Sequence, residues 1–142
     1  MDHVGRENLL SLCEKHRLPL VEDAFEEEMK YFGRIPLPIK SMDHGGLVIY
    51  LGSFSKVFFP GIRLGWIAAH RECISRLLAL KSFTDISSNG LMQMALAEFC
   101  HRGYYDLYIK RIHRVYRRRM LFALEALKTH LRFPEVSWNE PA

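Results

Sequence analysis

Leu47-Val48-Ile49-Tyr50-Leu51 is the strongest strand signal in the chain, and it breaks abruptly at Gly52-Ser53-Phe54-Ser55-Lys56. A run that is apolar on both faces suits a parallel strand covered by helices. It therefore restricts the chain to folds in which helices pack on a sheet. The flanking patterns agree. Residues 6–17 carry an apolar stripe of Leu9, Leu10, Leu12 and Cys13, with Glu7, Glu14, Lys15 and Arg17 off it, and Pro19 marks the end of that helix. Leu18 to Val21 is a short apolar run ending in Glu22-Asp23, consistent with a buried strand. Residues 24–46 read as irregular, with Gly33, Pro36 and Pro38, then a turn at Asp43-His44-Gly45-Gly46. Arg63 to Ala69 reads as a third strand, and helical spacing follows at 71–83, near 88–102 and near 104–131. Strand–helix alternation in the first half argues for an α/β fold.

Composition removes several classes. The chain has 142 residues, 49% hydrophobic and 25% charged, with a net charge of +4. Such a chain can bury enough apolar surface to offset the entropy of ordering, which excludes disorder as its main state. No stretch is long and apolar enough for a membrane span, and MDHVGRENLL lacks the apolar core of a secretory signal. Cys13, Cys73 and Cys100 lie far apart and are odd in number, so they form neither a disulfide framework nor a CxxC metal site. A reducing cytoplasm is the expected compartment. His16, His44, His70, His101, His113 and His130 show no metal-ligand spacing. Glu26-Glu27-Glu28 reads as a solvated turn or short helix.

Three residues sit where a ligand is expected. Asp23 ends the first strand, Lys56 follows the second, and Arg63 comes seven residues later in Pro60-Gly61-Ile62-Arg63-Leu64-Gly65-Trp66. In α/β sheets, ligands bind beyond the carboxyl ends of the strands. A desolvated lysine can form an imine. Small hydroxyl residues and an arginine beside it make a phosphate cradle. A carboxylate held in a buried strand end can pair with a protonated ring nitrogen. Together these groups describe a site for pyridoxal 5'-phosphate, whose ring accepts electrons from a substrate carbanion.

The stretch from Gly52 to Trp66 resembles the lysine segment of fold-type I pyridoxal-phosphate-dependent aminotransferases of classes I and II, and Val21-Glu22-Asp23-Ala24-Phe25-Glu26 resembles their pyridine-binding segment. The wording is closest to the aminotransferase-like domain of MocR regulators, which join it to a GntR-type DNA-binding domain, and to aminotransferases of the 2-aminoadipate type. The resemblance continues through Gln93 to Phe99 and Tyr116 to Arg119. It implies part of the transferase large domain, a mostly parallel sheet with flanking helices, over residues 1–103. Residues 104–142 are then a long helix leading toward the small domain. It implies that Lys56 is the Schiff-base lysine and proton shuttle, that Asp23 pairs with the pyridinium nitrogen, and that Ser53 and Arg63 hold the phosphate. Ser55 adds a hydrogen bond to the same group.

The resemblance has one departure and two gaps. The family has a tyrosine two residues after the aspartate, donating to the cofactor's phenolic oxygen; here it is Phe25. That lost bond is worth roughly 0.5–1.5 kcal/mol. The family's phosphate turn, ring-stacking aromatic and phenolic-oxygen asparagine are expected upstream of residue 1, and its substrate-carboxylate arginine beyond residue 142. The chain is accordingly expected to be a fragment with little activity of its own, and the complete domain a homodimer.

Two functional classes remain. One is an aminotransferase acting on an amino acid and a 2-oxo acid; the other is a non-catalytic effector domain of a transcriptional regulator. Residues 102–132 hold nine Lys and Arg against Asp106 and Glu125, while the rest of the chain is net −3. Leu107, Ile112, Val115, Met120, Leu124 and Leu127 keep an apolar stripe beside those cations, so the stretch reads as an amphipathic helix with a solvated basic face. Any contact with DNA is expected from a separate N-terminal domain.

Overall fold

The computed structural model describes residues 1–25, 27–30, 32, 37–85 and 88–131. The readings made above for Glu26, Gly33, Pro36 and Arg132, and the tail from Phe133 onward, lie outside them. Helix α1 (His3–His16) opens with the Asp2 carboxylate accepting from the Gly5 amide at 2.9 Å. It closes at Arg17, whose left-handed backbone (φ 52°) turns the chain into strand β1 (Leu20–Asp23). Strand β2 (Val48–Ser53) lies parallel to β1, with Leu20 beside Val48 and Asp23 beside Leu51. Strand β3 (Gly65–Ala68) pairs with β2 in the opposite direction, Ser53 beside Gly65 and Tyr50 beside Ala68. The sheet is thus mixed, in the order β1-β2-β3. The β2–β3 connection, residues 54–64, is built of turns, including a 3-10 turn at Pro60–Ile62, rather than a crossover helix, and β3 returns antiparallel. Three helices follow: α2 (Arg71–Thr84), α3 (Gly90–His101) and α4 (Tyr104–His130).

Strand side chains alternate between faces, and here the two faces differ. Leu20, Glu22, Val48 and Tyr50 share the face packed against α1. Leu10, Ile39 and Val48 form the buried cluster there, with Leu9, Leu20 and Met42 against it, and Val48 is fully buried. Val21, Asp23, Ile49, Leu51, Ser53 and Ile67 share the other face. This face is the more open one: Val21 is 58% exposed and Ile67 45%, while Ile49 and Leu51 are half-buried. The expectation of a buried strand at 18–21 is therefore corrected. The element is Leu20–Asp23, half-buried, with Leu18 and Val21 exposed.

The start of β2 is held by charge. The Asp43 carboxylate accepts from the Leu47 and Val48 amides at 3.0 and 2.9 Å and from Lys40 Nζ at 2.8 Å. Lys40 Nζ also donates to the Val48 carbonyl at 2.9 Å. Burial pushes the Asp43 carboxyl up, but the Lys40 hydrogen bond and the two amides outweigh it and hold the group below its ordinary value. Among the described residues no helix is long and apolar enough to cross a membrane.

Candidate functional site

The parallel pairing of β1 and β2 brings the carboxyl ends of both strands to one end of the sheet. Asp23 stands level with Leu51, and Ser53 lies two residues further along β2 on the same face. Arg63 is two residues before Gly65, the partner of Ser53, so the antiparallel return delivers it to this end as well. Asp23, Lys56 and Arg63 are exposed there, and Ser53 and Ser55 are half-buried. The expectation that the aspartate occupies a buried strand end is corrected: Asp23 projects from the more open face. Lys56 is likewise not enclosed by the described residues.

The acidic pair ending β1 shows how period two divides labour between neighbours. Glu22 points inward. Its carboxylate accepts from Arg6 at 3.2 Å and from the Ile39 and Lys40 amides at 2.8 and 2.9 Å, tying α1 and the turn at 39–42 to the sheet. Glu22 is thus structural, while Asp23 is left open to a ligand.

The lysine loop is anchored by what flanks it. Val57 and Ile62 are each 3% exposed. The Phe58 amide donates to the Phe54 carbonyl at 2.8 Å, and the Phe54 amide donates to the Leu64 carbonyl at 3.1 Å. Residues 55–58 therefore form a tight turn with Lys56 on its outer side. The Ser55 amide donates to Ser53 Oγ at 3.2 Å, which leaves the Ser53 hydroxyl proton available to a ligand. Arg63 adopts a left-handed backbone (φ 50°), unusual for a residue with a Cβ, where the chain enters β3. The glycines flanking this loop are steric necessities. A Cβ on Gly65 would lie 2.8 Å from the Gly52 carbonyl oxygen, and one on Gly52 would enter the Trp66 ring. Trp66 instead packs against Tyr50, ring centroids 5.0 Å apart.

Several contacts around the site were not legible as functional. Phe58 sits among Phe59, Phe99 and Tyr108. Tyr108 donates its hydroxyl to the Phe58 carbonyl at 2.9 Å, and Tyr105 bonds the Glu28 carboxylate. His113 contacts the Glu28 carbonyl, and Tyr50 bonds Glu27. The contacts made by Tyr105, Tyr108 and His113 lie far apart in sequence, and their advance signal was the density of aromatic residues at 104–116. The buried side of α4 also differs from the aliphatic stripe expected. Leu107 and Val115 are exposed, and Tyr105, Tyr108, Ile112, Tyr116, Met120 and Leu124 are wholly or partly covered.

A mixed sheet with a lysine turn, a serine and an arginine at the carboxyl end of its strands, followed by a long helix, is the architecture of a pyridoxal-phosphate-dependent transferase domain. The chain matches the family described as aminotransferase class I and II over residues 5–134, and it belongs to that family. An uncharacterized HTH-type transcriptional regulator of Bacillus subtilis, YisV, is 35% identical over 100% of this chain and 29% of its own length. Aromatic-amino-acid aminotransferase 1 of Thermococcus litoralis is 37% identical over 99% of this chain and 34% of its own length. The solved kynurenine aminotransferase of Pyrococcus horikoshii, in complex with PMP, superposes with a TM-score of 0.92 at 33% identity, covering 99% of this chain and 35% of that one. The chain thus spans about a third of the length of the relatives it matches.

Proposed function

We propose that this chain is the lysine-bearing portion of a pyridoxal-phosphate-dependent aminotransferase domain, which moves an amino group between an amino acid and a 2-oxo acid. In this reading residues 1–103 belong to the cofactor-binding large domain and residues 104–142 lead toward the small domain. The observation that carries the reading is the shared sheet end. Asp23 and Ser53 project from one face, and the Lys56 turn and Arg63 flank the same strand end.

The donor set fits the cofactor's chemistry. Lys56 offers a primary amine for attachment at the sheet end, and its Nζ would hold and return a proton; the desolvation that frees such an amine is not supplied by the described residues. The Asp23 carboxylate accepts from a ring N–H. The Arg63 guanidinium and the Ser53 hydroxyl hold a phosphate, with Ser55 as a third donor. The bound cofactor supplies the electron sink for amino-group transfer. The more open sheet face supplies neither ring stacking nor water exclusion among the described residues. Phe25, two residues past Asp23 and 38% exposed, has no donor for a phenolic oxygen.

The test is to add pyridoxal phosphate to the 142-residue chain, reduce with borohydride and map the modified peptides. A pyridoxyl adduct concentrated on Lys56 is expected. Adducts scattered over exposed lysines, equal in Lys56→Ala, would refute the reading.

The second reading is a cofactor-binding effector domain of a transcriptional regulator. It is favoured by Phe25 and by the HTH-type regulators among the relatives. The open reading frame upstream separates the two. A winged-helix domain and linker there support the effector, and a short extension supports the enzyme.

A further inference from the structure

Helix α4 touches both halves of the candidate site at once. On one side, the Tyr108 hydroxyl donates to the carbonyl of Phe58, two residues past Lys56, at 2.9 Å, and the Tyr108 ring meets the Phe58 ring edge-on with centroids 4.8 Å apart. On the other side, Tyr105 bonds the carboxylate of Glu28, five residues past Asp23, and its ring stands edge-on to Phe54 at 5.8 Å. His113, two turns further along the same face, contacts the Glu28 carbonyl. Residues 105 and 108 are neighbours on one helix surface. The lysine loop and the loop following the aspartate are thus both bonded to a single rigid element.

We propose that Tyr105 and Tyr108 are positioning residues: they fix the Lys56 turn and the segment after Asp23 in mutual register, so that amine and carboxylate meet the same cofactor. This rests on the cofactor reading of Lys56 and Asp23 given above. Both hydroxyls act as donors. Burial, the leading cause for each, pushes both phenols above the ordinary tyrosine value, and the Glu28 bond adds to the effect at Tyr105. They stay protonated wherever the site works. A rotation of α4 would move both loops together, and loss of one hydroxyl would free one loop only.

The experiment uses the full 142-residue chain with Tyr108→Phe and Tyr105→Phe, which keep the rings and remove the hydroxyls. Two readouts are taken: amide hydrogen exchange over residues 55–59 without cofactor, and the yield of reduced pyridoxyl adduct at Lys56. One neutral hydrogen bond corresponds to a factor of about five in an equilibrium. Tyr108→Phe is expected to speed exchange at 55–59 about fivefold, leave β2 protection unchanged, and lower the Lys56 adduct yield by a similar factor. Tyr105→Phe is expected to lower the yield while sparing exchange at 55–59. It carries the test alone if Tyr108→Phe loses helical ellipticity. Faster exchange with an unchanged adduct yield would reduce the tyrosines to a structural role and overturn the proposal, as would no change in either readout. Absence of a Lys56 adduct in the unmodified chain would instead refute the cofactor reading beneath it.

Discussion

Asp43→Asn tests how β2, and with it the lysine turn, is aimed. The Asp43 side chain is fully buried and accepts from two backbone amides and from Lys40. An asparagine has one acceptor oxygen, so its NH2 must confront either the Leu47 amide or both the Val48 amide and the Lys40 ammonium. At least one charge-assisted bond is lost, worth about 1.5–3 kcal/mol. Lys40 keeps its bond to the Val48 carbonyl and is 23% exposed, so its ammonium stays partly hydrated. The cost should therefore stay below the ~3–5 kcal/mol of a fully buried broken pair. A destabilisation of about 2–3 kcal/mol near neutral pH is expected by urea unfolding followed through tryptophan fluorescence. The pH dependence has a definite sign. The folded carboxyl titrates below its unfolded value, so its stabilisation is complete above about pH 5 and is lost as pH falls through the unfolded and then the folded value. The gap between native chain and variant should stay flat down to about pH 5 and close on further acidification. A gap under about 0.5 kcal/mol at neutral pH, the size of an ordinary surface substitution, would refute the network, as would a gap that widens in acid.

Two further substitutions separate shape from chemistry at the site. Gly65→Ala puts a Cβ 2.8 Å from the Gly52 carbonyl oxygen, a backbone atom that cannot swing aside. It should cost about 1–3 kcal/mol by urea unfolding, whereas Gly61→Ala, with nothing closer than the Phe59 ring at 3.6 Å, should cost far less. Arg63→Gly removes a guanidinium from a left-handed backbone position. Relief of strain and the added freedom of the unfolded glycine nearly cancel, leaving stability within about 1 kcal/mol. Affinity for pyridoxal phosphate, read by absorbance titration, should nevertheless fall. A large stability loss with unchanged affinity would make Arg63 a structural residue.

Much of the framework was legible because it is local. The apolar run at 47–51, the breaks at Pro19 and Gly52, and the helical spacing after Arg71 each fall within one element. The observed elements begin and end within a few residues of those signals. The direction of β3 was not legible as a pattern, since RLGWIAA reads alike in either sense. It is set by residues 54–64, which form turns and no crossover helix. Burial was misjudged at Leu18–Val21 and Asp23, because an apolar run tells how much surface could be covered, not whether a neighbour covers it.

The roles of Glu22 and Asp23 show where the boundary lies. Composition makes them equal, and their adjacency suggests one acidic feature. Once β1 is a strand, period two sends them to opposite faces, and the contents of those faces decide the rest. The inward face holds Arg6 and two turn amides that satisfy Glu22. The outward face holds Ser53 one pair along and no described partner that claims the Asp23 carboxylate. The α4 tyrosines lie beyond that reasoning, because Tyr108 reaches a backbone carbonyl fifty residues away and Tyr105 a carboxylate seventy-seven away. Such bonds depend on the crossing of α4 over two loops. Candidate ligand-binding residues can thus be picked out from strand ends, but the contacts of Tyr105 and Tyr108 come only from the packing of the long helix.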